Sequence, residues 1–147
     1  MVDSWAEKLI AAALLARERA YAPYSSFKVG AALLTARGKI YTGCNVENAS
    51  YGLTVCAERV ALYNAVSEGE REFTALAIVS DGPSITVPCG ACRQVLAEFS
   101  RDLKILMGNS QGGYVAASLE ELFPLAFTLD AAGEAAGKEG NNGRGEI

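Results

Sequence analysis

The chain has 147 residues, 50% of them hydrophobic and 20% charged, a composition that sustains one buried core and excludes an intrinsically disordered body. A net charge of -4 argues against duplex nucleic acid as a resting partner, and no run approaches the roughly 20 apolar residues of a membrane span. Four cysteines and no histidine mean that any metal or acid–base chemistry must proceed without imidazole. The first helix-like stretch carries Glu7, Lys8, Arg17, Glu18 and Arg19 where a signal peptide would be apolar, so a soluble, cytoplasmic protein is expected.

Ser4 and Glu7 form a capping-box pattern, and Trp5, Leu9, Ala12, Ala13 and Ala16 recur at helical spacing to about Arg19. Proline and two serines between Tyr21 and Ser26 break that helix. Phe27 to Thr35 follows as a strand, Ala36 to Lys39 as a hairpin turn, and Ile40 to Val46 as its antiparallel partner. The aperiodic stretch from Glu47 to Val55 has the composition of a functional loop. Apolar spacing predicts a helix from Cys56 to about Glu68, ended by Gly69. Phe73 to Ser80 is an almost unbroken apolar run, as expected of a central strand covered on both faces. A turn at Asp81 to Ser84, a helix from Gly90 to Phe99 and a strand from Lys104 to Gly108 complete a strand, helix, strand, helix, strand order, which predicts a mainly parallel sheet covered by helices. Tyr114 to Ser118 is a candidate edge strand and Leu119 to Leu122 a short helix. The glycine-rich remainder, 130–147, is expected to be a disordered tail, leaving 1–129 as one domain.

Cys56 and the CxxC at Cys89 and Cys92 both fall where helices are expected to start. A helix N-terminus carries unpaired N–H groups and partial positive charge, which favour the thiolate that ligates metal. Two such helices side by side would aim three sulfurs at one point, and three thiolates with an open fourth position match a catalytic zinc site. A redox pair or a closed structural zinc knot are the other readings of the CxxC. Cys44 is the one candidate for a fourth ligand, but it lies within a strand, where a small buried cysteine is expected to pack in the core. Glu58, two residues from Cys56, is the most available acid–base group for a metal-activated water. In a regular helix residues two apart diverge, so Cys56 must stand at the non-helical entry for both to face the metal.

Cys56-Ala57-Glu58 with Pro88-Cys89-Gly90-Ala91-Cys92-Arg93-Gln94 resembles the zinc-dependent nucleoside deaminases, and the three-cysteine form is similar to the small homotetrameric cytidine deaminases. Tyr21 to Ser25 with Phe27, Val29 to Ala32, Gly43 to Ala49 with Tyr51, and Leu122 to Pro124 with Phe127 extend the likeness over about residues 5–128. The resemblance implies an α/β fold of three layers, α/β/α, with a five-stranded mixed sheet. It implies hydrolytic deamination of cytidine and 2'-deoxycytidine to uridine and 2'-deoxyuridine, in pyrimidine salvage, with Zn2+ on Cys56, Cys89 and Cys92 and Glu58 as proton shuttle.

By the same resemblance Asn45 and Glu47 bind the ribose hydroxyl, Phe27 lies beside the pyrimidine, and the Ala57 backbone with Glu58 reads its polar edge. Arg59 donates hydrogen bonds to the cysteine sulfurs. Ala49, Tyr51 and Phe127 reach into a neighbouring subunit's site, so the expected partners are a nucleoside and further copies of the chain in a homotetramer, with neither nucleic acid nor membrane. Blasticidin deaminases share the zinc motif, but the Asn45 and Glu47 pair favours a ribosyl substrate. A polynucleotide-editing deaminase would need a groove for flanking nucleotides, and a zinc-stabilised nucleic-acid-binding module a basic stripe with aromatics; the acidic chain has no extra basic segment.

Overall fold

The computed structural model describes residues 4–129; the expected tail, 130–147, lies outside them. In chain order the elements are α1 (Ser4–Arg17), β1 (Val29–Thr35), β2 (Ile40–Cys44), α2 (Ala57–Ser67), β3 (Phe73–Ser80), α3 (Gly90–Ala97), β4 (Lys104–Gly108), β5 (Tyr114–Ser118) and α4 (Leu119–Leu122). Among the described residues no helix is long and apolar enough to cross a membrane. Ser4 is already helical, so whatever caps α1 lies outside the described residues. The complete capping box is at α4, where Ser118 accepts from the Glu121 N–H and the Glu121 carboxylate accepts from the Ser118 N–H.

The five strands form one sheet in the order β2-β1-β3-β4-β5. It is mixed, and the expectation of a mainly parallel sheet is corrected: β1 pairs antiparallel with both β2 and β3, β4 pairs antiparallel with β5, and only β3 and β4 are parallel. Both crossovers predicted from the strand and helix order exist. The first, from β2 through α2 to β3, spans β1, which sits between its two strands. Since β2 and β3 both oppose β1, they run in the same direction, and α2 and α3 therefore start at the same end of the sheet.

Strand alternation divides the core into two layers. Ala31, Leu33, Leu76, Ile78, Ile105 and Met107 point to the face covered by α2, α3 and α4, where they meet Ala61, Leu62, Leu96 and Leu119. Ala32, Ala75, Ala77, Val79 and Leu106 point to the other face and meet Leu9, Ile10 and Ala13 of α1. Full burial of a side chain such as Leu33, Leu76 or Ile78 stabilises the fold by about 1.5–3 kcal/mol each, and β1 and β3 supply residues to both layers. This is the three-layer α/β/α arrangement expected.

Two glycines let the helices approach the sheet closely. A Cβ on Gly30 would overlap the α1 backbone at Ala13 and Arg17. One on Gly43 would overlap the α2 backbone at Ala61 and lie 2.6 Å from the Ala57 carbonyl oxygen. The first turn of α2, which carries the cysteine motif, is thus seated directly on β2.

Candidate active site

Cys56 and Cys89 are the N-cap residues of α2 and α3, each with extended backbone (φ -73°, ψ 154° and φ -73°, ψ 169°). Cys56 therefore stands at the non-helical entry, as the motif requires if Glu58 is to share its side of the helix. Cys92 lies buried in the first turn of α3. The three Sγ atoms lie within 4.8 Å of one another, with 3.8 Å between Cys56 and Cys89 and 3.6 Å between Cys89 and Cys92. A tetrahedral zinc with sulfur ligands at about 2.3 Å has an edge of about 3.8 Å, so this donor set fits zinc in both spacing and chemistry. Cys44 is half-buried at the end of β2, its thiol raised by burial, and is not a member of the cluster.

Arg59 Nη2 donates to Cys56 Sγ at 3.6 Å, while its Nε is buried with no partner among the described residues. The guanidinium is held more firmly cationic by the sulfur of Cys56 and then that of Cys92. A hydrogen bond from Cys92, assisted by Arg59 and Cys89, brings Cys56 down to about 5, and the same coupling together with burial pushes Cys92 up. Cys56 is thus the thiolate that the protein groups alone favour. Glu58 is 4% exposed, and burial, followed by the charge of Cys56, pushes its carboxyl up to about 7. At neutral pH it can accept a proton and return it. Ala57 is fully buried beside it.

Asn45 and Glu47 act on the segment that carries Phe27. Asn45 Oδ1 accepts from the Val29 N–H at 2.8 Å and Nδ2 donates to the Phe27 carbonyl at 2.9 Å, fixing the backbone on either side of Lys28. Glu47 Oε1 accepts from the Tyr24 and Ser25 N–H groups at 2.9 and 3.2 Å, and Oε2 accepts from the Ser25 hydroxyl, which holds the Glu47 carboxyl below the usual range. Phe27 precedes β1 rather than opening it and stands half exposed. A hollow of about 330 Å³, lined by Tyr24, Ser25, Glu47, Asn48, Tyr51 and Thr54, opens beside the Glu47 carboxylate.

Backbone pairing joins this group to the cysteines. Val46 and Val55 exchange N–H to carbonyl bonds at 3.0 Å in both directions, setting Asn45 and Glu47 next to the residue that leads into Cys56. Nothing in the composition of the loop announces that bridge. Tyr51 is 77% and Phe127 68% exposed, Ala49 is exposed as well, and Phe127 is anchored by its carbonyl, which accepts from Gln94 Nε2 at 3.1 Å. Arg93 also has a part the sequence left unassigned: Nε donates to the Pro88 carbonyl at 2.9 Å and Nη1 to that of Leu122 at 2.5 Å, bracing the first turn of α3 against α4.

Three thiols at two adjacent helix N-termini, with a buried carboxyl two residues from one of them, define a metal-dependent hydrolase of the α/β/α class. The family model for the cytidine and deoxycytidylate deaminase zinc-binding region matches residues 3–108, and the chain belongs to that family of zinc enzymes. It is 53% identical over 125 residues to a cytidine deaminase of Halalkalibacterium halodurans, covering 84% of this chain and 95% of that one. The cytidine deaminase of Sporosarcina psychrophila is 50% identical over 125 residues, covering 84% and 92%. The crystal structure of the cytidine deaminase from Burkholderia pseudomallei superposes with a TM-score of 0.80 at 52% identity, over 86% of this chain and all (100%) of that chain.

Proposed function

We propose that the protein hydrolyses cytidine and 2'-deoxycytidine to uridine and 2'-deoxyuridine with release of ammonia, as a cytoplasmic homotetramer serving pyrimidine salvage. The observation that carries the reading is the buried Glu58 carboxyl, two residues from Cys56, beside three convergent thiols. When bound by Cys56, Cys89 and Cys92, zinc supplies a Lewis acid that makes water nucleophilic at neutral pH. Glu58 takes the water proton and delivers it to N3 of the pyrimidine as the oxygen attacks C4; it then carries the second proton to the departing amino group, and ammonia leaves.

Three thiolates around a divalent cation leave a formal charge of -1, which by itself opposes water ionisation. The helix N-termini at Cys56 and Cys89 and the hydrogen bond from Arg59 withdraw part of that charge.

The remaining hydrogen-bonding capacity supports a nucleoside. A carboxylate offers about four acceptor positions, and Glu47 uses three of them on Tyr24 and Ser25. One remains, enough for a single sugar hydroxyl, which cytidine and 2'-deoxycytidine both present. Asn45 keeps one N–H and one lone pair beyond its contacts with Phe27 and Val29. Phe27 flanks the ring, and the Ala57 backbone with Glu58 meets its polar edge. Exposed Tyr51 and Phe127, with Ala49, complete the neighbouring site in the tetramer.

The test compares ammonia release by the zinc-loaded protein from cytidine, 2'-deoxycytidine and a cytosine-containing oligonucleotide. Deamination of both nucleosides and not of the oligonucleotide is expected; preference for the oligonucleotide would replace this reading with a polynucleotide deaminase.

A further inference from the structure

Ser25 lies outside the cysteine cluster and its acid–base group, yet its hydroxyl makes two contacts that matter to substrate placement. Its proton goes to Glu47 Oε2, and its oxygen accepts the Phe27 N–H at 3.0 Å. The residue between, Ser26, has a left-handed backbone (φ 61°), a conformation that is strained for a non-glycine residue and persists only where the surroundings enforce it. The restraints are identifiable. Glu47 holds the Tyr24 and Ser25 N–H groups, Asn45 holds Phe27 and Val29, and Asp81 Oδ2 accepts from the Lys28 N–H at 3.1 Å. Among these contacts, the Ser25 hydroxyl alone touches the Glu47 carboxylate and the Phe27 backbone together.

We infer that Ser25 is a positioning residue that couples the sugar end of the site to its base end: by bridging Glu47 and the Phe27 N–H, its hydroxyl fixes the ring of Phe27 relative to the carboxylate that receives the sugar. The inference rests on the proposed roles of Phe27 and Glu47. It assigns Ser25 no part in proton transfer, so its loss changes substrate binding and leaves the chemical step alone. A neutral donor to a carboxylate is among the stronger hydrogen bonds, and its removal corresponds to about a tenfold change in binding.

The experiment uses the full-length, zinc-loaded protein with Ser25→Ala, Ser25→Thr, Phe27→Ala and the Ser25→Ala/Phe27→Ala double variant, assayed for KM and kcat on cytidine, with zinc content and thermal midpoint measured in parallel. Ser25→Ala is expected to raise KM about tenfold with kcat within about threefold, at unchanged zinc content, and Ser25→Thr to restore KM because it returns the hydroxyl. In the Phe27→Ala background Ser25→Ala should raise KM much less, since no ring remains to be placed. A KM within about twofold of the parent in Ser25→Ala, while Phe27→Ala raises KM, would overturn the coupling and leave the site assignment standing. Unchanged KM in both variants would instead remove Phe27 from the site. Parallel losses of kcat, zinc and thermal midpoint in Ser25→Ala, unrelieved by threonine, would make Ser25 a fold residue and also overturn the inference.

Discussion

Gly43 of β2 lies so close beneath Ala57 of α2 that a Cβ on the glycine would stand 2.6 Å from the Ala57 carbonyl oxygen. The contact joins a strand with no chemistry of its own to the helical turn that carries Cys56, Glu58 and Arg59. The height of that turn above the sheet is set by the absence of one methyl group.

Gly43→Ala should therefore lift the first turn of α2, lower stability by about 1–3 kcal/mol and weaken zinc retention, because the Cys56 sulfur moves away from Cys89 and Cys92. Gly52→Ala is the control, since a Cβ there meets nothing within 4 Å. Thermal unfolding and metal content of the two variants check the difference.

Glu58→Gln keeps size and shape but removes the proton carrier, so turnover should fall by at least ~10²-fold with zinc retained. Stability should move the other way. Burial raises the folded Glu58 carboxyl from 4.5 to about 7, so its contribution is fully present below about pH 4.5 and is lost as pH rises through 7. Glutamine stays neutral throughout. In chelator-stripped protein the variant should match the parent at pH 4.5 and exceed it by up to about 3 kcal/mol above pH 7, as read by denaturant unfolding at the two pH values.

The placement of Cys56 and Cys89 at helix entries followed from local patterning and held, because capping and apolar spacing are short-range properties. Pairing between β1 and β3 did not follow. Ala31, Ala32 and Leu33 are buried on both faces, and an unbroken apolar run does not say which strand lies beside it or in which direction. The contacts from Glu47 to Tyr24 and Ser25 span more than twenty residues and depend on the Tyr21 to Val46 pairing, so spacing alone could not disclose them. Ser25 and Arg93 did stand in the motifs that carried the resemblance, and their hydrogen-bonding groups were the only signal of the bracing they provide.

Arg59→Gln should leave the three ligands in place but return negative charge to the sulfurs, since the hydrogen bond to Cys56 at 3.6 Å is lost. Less charge withdrawal makes the attacking water harder to ionise. The acidic limb of the pH–rate profile should move up by about one unit, with lower activity at pH 7. A profile coincident with the parent's would make Arg59 a bystander.

If Phe127 completes a neighbour's site, then Glu58→Gln and Phe127→Ala chains should complement each other. In the proposed tetramer, mixing the two chains would create sites with an intact Glu58 from one chain and an intact Phe127 from the next. After dissociation and reassembly together, activity should exceed the mean of the two parents. Activity equal to that mean would place the whole site within one chain.

The proposed deamination requires three thiolates with one position left for water, and X-ray absorption at the zinc edge of the loaded protein measures that arrangement directly. The expected spectrum has three sulfur scatterers at about 2.3 Å and one oxygen at about 2.0 Å, unchanged by Cys44→Ala and lost in Cys56→Ala. Four sulfur scatterers, falling to three in Cys44→Ala, would mean a closed structural site and would contradict it.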